Sequence, residues 1–291
     1  MNAHQIGSGQ ASAVIIEELG RRIGKRFLDH PFRSGVNKDN FEAVIAEYLA
    51  MSIAFPFIQA GAIHETYKAA LRAGGDTDKN AEITGAVGAY LVWDEVGGHK
   101  LTLDSGNQGL LQLPATRRNY HAHWLRKDIR TLLGRDVQPH RSAATTRYLD
   151  ELLGGLSDAR RNRNVAYMIG FECHAQAMIG ALWDAACSSF DLPHDERLVY
   201  FWGHVGGDEP AEGVHVEMTR MMVAELVPPD RREEFIGLCL EGYALNFHWC
   251  EAITASAGRE AAENVGRVRL YQVPPAAAVA SHSEWNHGNP A

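Results

Sequence analysis

Helical periodicity dominates the chain. Between residues 11 and 29 (ASAVIIEELGRRIGKRFLD) apolar side chains recur at spacings of three and four, the pattern of an amphipathic helix. Residues 30–40 are rich in turn-forming types and read as a break, with Asp39 or Asn40 placed to cap the next helix. Residues 41–73 read as one long helix, with a kink expected at Pro56 because proline removes an i→i−4 hydrogen bond. A further helix runs from about Glu82 to Val96 and stops at Gly97-Gly98. Residues 100–115 read as irregular, and helices are then expected at about 116–133, 143–153, 159–187, 192–204, 210–227 and 229–258. The only strand-like stretch is 268–273, which is too little for a sheet, and the residues after it read as a loose tail. No repeat and no shift in composition marks a linker. The expected fold is all-α: one bundle of seven to nine helices over residues 11–260, a flexible segment at 1–10, and an extension or tail at 261–291.

Composition narrows the function classes. The 291 residues are 45% hydrophobic and 22% charged, a balance that supports a packed core. The net charge of −8 argues against a general nucleic-acid binder, which needs a basic face. No run of ~18 apolar residues is present, so no membrane span is expected. The start, MNAHQIGSGQASA, lacks a basic segment followed by an apolar one and does not read as a signal peptide. None of the four cysteines forms a CxxC pair, and a reducing cytoplasm is the expected compartment. The 14 histidines against 28 Lys and Arg are many, and they direct attention to metal or acid–base chemistry.

One segment stands apart. His204, Asp208, Glu212 and His215 succeed one another at intervals of four, four and three, the period of one helix face. Glu212 and His215 also form an E-x-x-H pair, which di-iron helix bundles use to hold a metal from one turn. Gly206, Gly207 and Pro210 oppose a continuous helix there, and Asp208 is then equally readable as the N-cap of the next one.

Other helices offer partners. Glu172 lies in a nearly uncharged helix and should be buried, where a carboxylate is costly unless paired or metal-bound; a hydrogen-bonded structural acid is the competing reading. Glu95 shares a face with Leu91 and Gly88, while Asp94 is free to face outward. His121 aligns with Trp124, Leu125 and Leu132 on an apolar face, whereas His123 aligns with Lys127 and Arg130 on the wet one. Glu95, Glu172, Glu212, His121, His204 and His215, with Asp208 in reserve, make a donor set for two metals. Imidazole and carboxylate donors favour iron or manganese. Arg220 could meet a substrate carboxylate, but an ordinary surface ion pair is the favoured reading.

The order of these motifs resembles the haem-oxygenase-like di-iron oxidases and oxygenases, whose fold is shared with haem oxygenase and thiaminase-II-like proteins. The resemblance rests on Leu91-Val-Trp-Asp-Glu95-Val-Gly, on His121 opening a helix that ends at Leu133-Gly134, on Glu172 and His204, and on Glu212-Gly-Val-His215. It spans about residues 40–255 and includes Phe55-Pro56 after Glu47-Tyr48 and the segment from Phe247. Two features depart from the family. An insertion at 100–118 lengthens the interval from Glu95 to His121, and the final histidine lies eleven residues after His204 where the family has H-x-x-x-D-x-x-H. The division of labour between His204 and Asp208 therefore stays open.

The resemblance implies two Fe(II) ions, O₂ as co-substrate, and oxidation of a small metabolite. An amino-acid-derived substrate is expected, with N-oxygenation, desaturation or oxidative C–C cleavage as the reaction. Glu95, Glu172 and Glu212 would be the catalytic carboxylates. A homodimer would be an ordinary assembly for such a chain. Competing readings keep the fold as a thiaminase-II-like or haem-dependent enzyme, with His64 as the available haem ligand, or drop catalysis for a helical binding protein.

Overall fold

The computed structural model describes residues 3–74, 78–105, 114, 116–207 and 211–270. Among them there is no strand, and the chain is an all-α bundle. The helices are α1 (Ala3–Arg26), α2 (Pro31–Gly35), α3 (Phe41–Arg72), α4 (Lys79–Glu95), α5 (Gly98–Ser105), α6 (His121–Leu133), α7 (Ala143–Leu156), α8 (Arg163–Phe190), α9 (Val199–Val205), α10 (Ala211–Leu226) and α11 (Arg232–Leu270).

Several boundaries differ from the sequence expectation, each for a local reason. Helix α1 starts at Ala3 rather than residue 11, so the expected flexible segment at 1–10 is helical from there on. Residues 98–105, expected to be irregular in part, form α5; eight residues are too few for a periodic signal. Residues 268–270, expected as strand, continue α11, because the helix they prolong outweighs the β propensity of Val268. The remainder of that stretch and the expected tail lie outside the described residues. Helix α9 begins at Val199 rather than residue 192, since Pro193 sits in the connection. Asn40 stands at the N-terminus of α3 but does not cap it through its side chain. Its Oδ1 accepts from the Asn37 amide and its Nδ2 donates to the Gly35 carbonyl, which ties the preceding turn instead.

The core lies along α3, α8 and α11. Helix α3 runs on through Pro56, and its Phe55 ring stacks on Phe171 of α8 at 4.2 Å. By length and composition α3 is apolar enough to cross a membrane, but most of that stretch is buried inside the bundle, which accounts for its apolarity. Helices α8 and α11 meet with little between them. A Cβ at Gly170 would lie 2.6 Å from the Cys239 carbonyl oxygen and 2.8 Å from the Tyr243 nitrogen, both backbone atoms of α11. Four helices then face the same interior region from the other side: α4, α6, α9 and α10.

Asp128 locks two of these together. It is fully buried on α6, and its carboxylate accepts the Val199 and Tyr200 amides, each at 2.8 Å, and the Phe201 amide at 3.4 Å. It therefore caps α9 from another helix, satisfying first-turn N–H groups that have no partner within their own helix. Burial pushes this carboxyl up to about 7 despite those three bonds. His121 lies seven residues earlier on α6 and His204 is the sixth residue of α9, so this one contact sets their relative position.

Candidate functional site

Helices α4, α6 and α9 bring Glu95, His121 and His204 together. One donor atom from each lies within 4.8 Å of the others. The His121 Nδ1 is 3.4 Å from Glu95 Oε1, poorly aligned for a hydrogen bond, and the two imidazole rings meet edge to face at 4.6 Å. His204 Nδ1 donates to the Tyr200 carbonyl at 2.6 Å. That fixes the tautomer: Nε2 carries the lone pair, and it is buried with no partner. A buried acceptor nitrogen beside a carboxylate and a second imidazole is the arrangement a cation would complete.

A second group comes from α4, α8 and α10. His215 is 2% exposed, and its Nε2 donates to Asp94 Oδ2 at 2.8 Å. Its Nδ1 faces Glu172 Oε2 at 3.4 Å. Glu172 is likewise 2% exposed. The two groups share a cavity of about 20 Å³ lined by Tyr48, Ser52, Glu95, Glu172, His204 and His215. That is room for about one small species, water or ion, held by these polar groups within a wall otherwise formed by apolar side chains such as Phe55, Phe171 and Met178. The Tyr48 and Tyr200 hydroxyls hydrogen-bond to each other at 2.8 Å nearby. On the outer side, His121 and His215 also line a second cavity of about 400 Å³, walled by Trp124, Trp202, Val199 and Val214.

Electrostatics match this geometry. Burial pushes Asp94 up, but the hydrogen bond from His215 and the neighbouring histidines outweigh it and hold the carboxyl at about 2. Burial likewise opposes charge on Glu95 and on His121, yet each favours the charged form of the other, so Glu95 is lowered and His121 raised. His204 is driven down to about 4 by burial and then by His121. His30, elsewhere in the core, is also held at about 4, chiefly by burial.

These two depressed histidines make the metal-free protein acid-sensitive. Their folded values lie below the ordinary 6.5, so the unfolded chain takes up protons first as the pH falls. Stability is therefore full above about pH 6.5 and lost on the way down to about 4, by roughly 3 kcal/mol for each histidine. Denaturant midpoints measured across this range should slope more steeply for the wild-type apoprotein than for His30→Gln. Equal slopes would refute the assignment.

The structure thus gathers Glu95, His121, Glu172, His204 and His215. Glu212 lies on α10, but its side chain is outside the described residues, and so is Asp208 altogether. Helix α9 does end at Gly206, and Gly207 adopts φ +70°, a left-handed turn that suits glycine. His123 is only half-buried, beside the Tyr120 ring. Arg220 pairs with Glu217 on its own helix. Asp94 corrects an expectation: it does not face outward but is buried against His215. Adjacent residues on a helix diverge by about 100°. Here that divergence sends Glu95 to His121 and Asp94 to His215, so both carboxylates are used. An acidic pair ending an apolar helix was the available signal.

No family model and no curated protein matches the sequence significantly. Similarity in structure is found to a CadD-like protein of unknown function from Nostoc punctiforme PCC 73102. One crystal structure of it, at 2.00 Å resolution, gives a TM-score of 0.61 at 15% identity, covering 84% of this chain and 98% of that chain. Another, at 1.35 Å, gives 0.58 at 14% identity, covering 84% and 95%. At such identities the likeness concerns the fold alone.

Proposed function

We propose that the chain is a non-haem di-iron oxidoreductase that uses O₂ to oxidise a small metabolite, as its resemblance to the haem-oxygenase-like di-iron family implies. The observation that carries this reading is the convergence of His204, His215, Glu95 and Glu172 on one small cavity, with His121 beside Glu95 and His204 and the His204 Nε2 lone pair left without a partner. Glu95, His121 and His204 would hold one ion; Glu172 and His215, with Glu212 from the same turn as His215, would hold the other. The donors are nitrogen and carboxylate oxygen without thiolate, which suits iron or manganese. When bound, two ferrous ions would supply the electrons that reduce O₂.

The protein's own contribution is orientation. Asp94 fixes the ring of His215 by accepting its Nε2 proton, and the Tyr200 carbonyl does the same for His204. The apolar walls of the outer cavity, Trp124, Trp202, Val199 and Val214, would exclude water and receive an apolar part of the substrate. The haem-dependent alternative would need His64 to face the interior. That side chain is exposed beside Glu65.

Anaerobic reconstitution with Fe(II), followed by metal analysis and an optical spectrum after exposure to O₂, tests the proposal. Two irons per chain and an O₂-dependent spectral change are expected. His121→Gln should abolish the change, whereas His123→Gln should leave it within a few-fold. Iron-free protein after reconstitution, or loss through His123 instead of His121, would overturn the reading.

A further inference from the structure

We propose that His30, His174 and Cys250 form a second metal site, separate from the carboxylate centre and suited to a thiophilic ion such as Zn(II). The three residues come from the connection between α1 and α2, from α8 and from α11. All are buried, and one donor atom from each lies within 4.8 Å of the others. The Nε2 atoms of His30 and His174 are 3.3 Å apart. Two nitrogens bound to one tetrahedral zinc at ~2.0–2.1 Å are themselves about 3.3 Å apart, so this pair already has the span of one edge of the tetrahedron. The rings of Phe32, Tyr243 and Phe247 pack round the imidazoles and keep the place dry.

Helix α8 serves both sites. Glu172 and His174 are two residues apart, which on a helix turns them about 200° from each other. Glu172 faces His215, and His174 faces His30 and α11. The donor chemistry differs as well. The first site offers imidazole and carboxylate; the second offers imidazole and a thiol, which selects softer ions.

Proton placement supports an ion here. The His30 imidazole is buried. Its Nδ1 accepts the Phe32 amide at 3.2 Å, so in the ion-free protein Nε2 carries the proton and donates to His174 Nε2. His174 must then keep its own proton on Nδ1, a buried atom with no hydrogen-bond partner.

Ligation would change two proton positions. Cys250 Sγ loses its proton to solvent as the sulfur–metal bond forms, and the His30 proton moves from Nε2 to Nδ1. The second change gives up the Phe32 hydrogen bond, one neutral contact against three coordinate bonds. Loading should therefore leave a mark at a defined amide.

The test is to refold metal-free protein anaerobically with excess Co(II), which bypasses the burial of the site. A thiolate-to-cobalt charge-transfer band in the near ultraviolet is expected, since ligation by the carboxylate centre cannot produce one. The band should persist in Glu172→Ala, vanish in Cys250→Ala and weaken strongly in His174→Gln. Circular dichroism of each apoprotein establishes folding; if Cys250→Ala does not fold, His30→Gln, in the connection before α2, replaces it. Zn(II) loading of wild-type protein should also reduce hydrogen-exchange protection of the Phe32 amide. Folded wild-type protein that shows no thiolate band, or a band that survives Cys250→Ala, would overturn the proposal. Neither outcome bears on the carboxylate centre, which is read from iron content.

Discussion

Glu172→Gln protein reconstituted with Fe(II) should lose its reaction with O₂ by more than about 100-fold, while the metal-free form keeps near-wild-type thermal stability. Replacing residues that merely support a metal ligand commonly costs ~10–100-fold, so a ligand itself should cost more. Glutamine preserves the volume of the side chain, and Glu172 is nearly fully buried in a helix with few charges, so packing is left intact. What changes is charge. The neighbour across the cavity is the His215 Nδ1 at 3.4 Å. The His215 ring keeps its hydrogen bond to Asp94 in either case, so the apoprotein should lose little stability. If Glu172 were a structural acid, Gln would be tolerated in both states. Measuring iron content, the spectrum after O₂ and the melting temperature on the same preparation separates these cases; an active Glu172→Gln enzyme would contradict the assignment.

Periodicity made much of this site legible. Glu172 stands out because its helix has almost no other charge, and His121 is separated from His123 by the apolar stripe of Trp124, Leu125 and Leu132. Both placements depend only on helix phase, which the sequence states well. Contacts between helices were not legible in the same way. Asp94 looks like an outward residue until α10 brings His215 against it. Asp128 on α6 carries no sequence signal of its role, yet it is the cap of α9, a helix that begins 71 residues further on. His30 and His174 illustrate the same limit. They are 144 residues apart in the chain, and their 3.3 Å approach exists only once α2 docks between α8 and α11. Helix boundaries failed where an element was short, as with α5, or where a long helix overrode local preference, as at 268–270 of α11.

Gly170→Ala should be among the most damaging small substitutions in the chain, destabilising it by about 2–3 kcal/mol through overpacking. The added methyl would meet the Cys239 carbonyl oxygen at 2.6 Å, the Tyr243 nitrogen at 2.8 Å and the Gly242 carbonyl carbon at 3.1 Å. All three are backbone atoms of α11, so no rotamer change relieves the contact and the two helices must separate. Gly242 shows the reciprocal constraint, since a Cβ there would lie 3.1 Å from the Tyr167 Cα of α8. Alanine normally strengthens a helix by about 0.5–1 kcal/mol relative to glycine. A net loss of stability would therefore mean that the close approach outweighs propensity. Gly180, on the same helix with nothing within 4 Å of its Cβ position, is the internal control: Gly180→Ala should be neutral or stabilising. Gly170 is two residues before Glu172 and four before His174, so separation of α8 from α11 should also disturb metal binding at both places. Equilibrium denaturation of the two alanine variants, followed by metal titration, would show the asymmetry. Equal stability of the two variants would mean that α8 and α11 are not in backbone contact at Gly170.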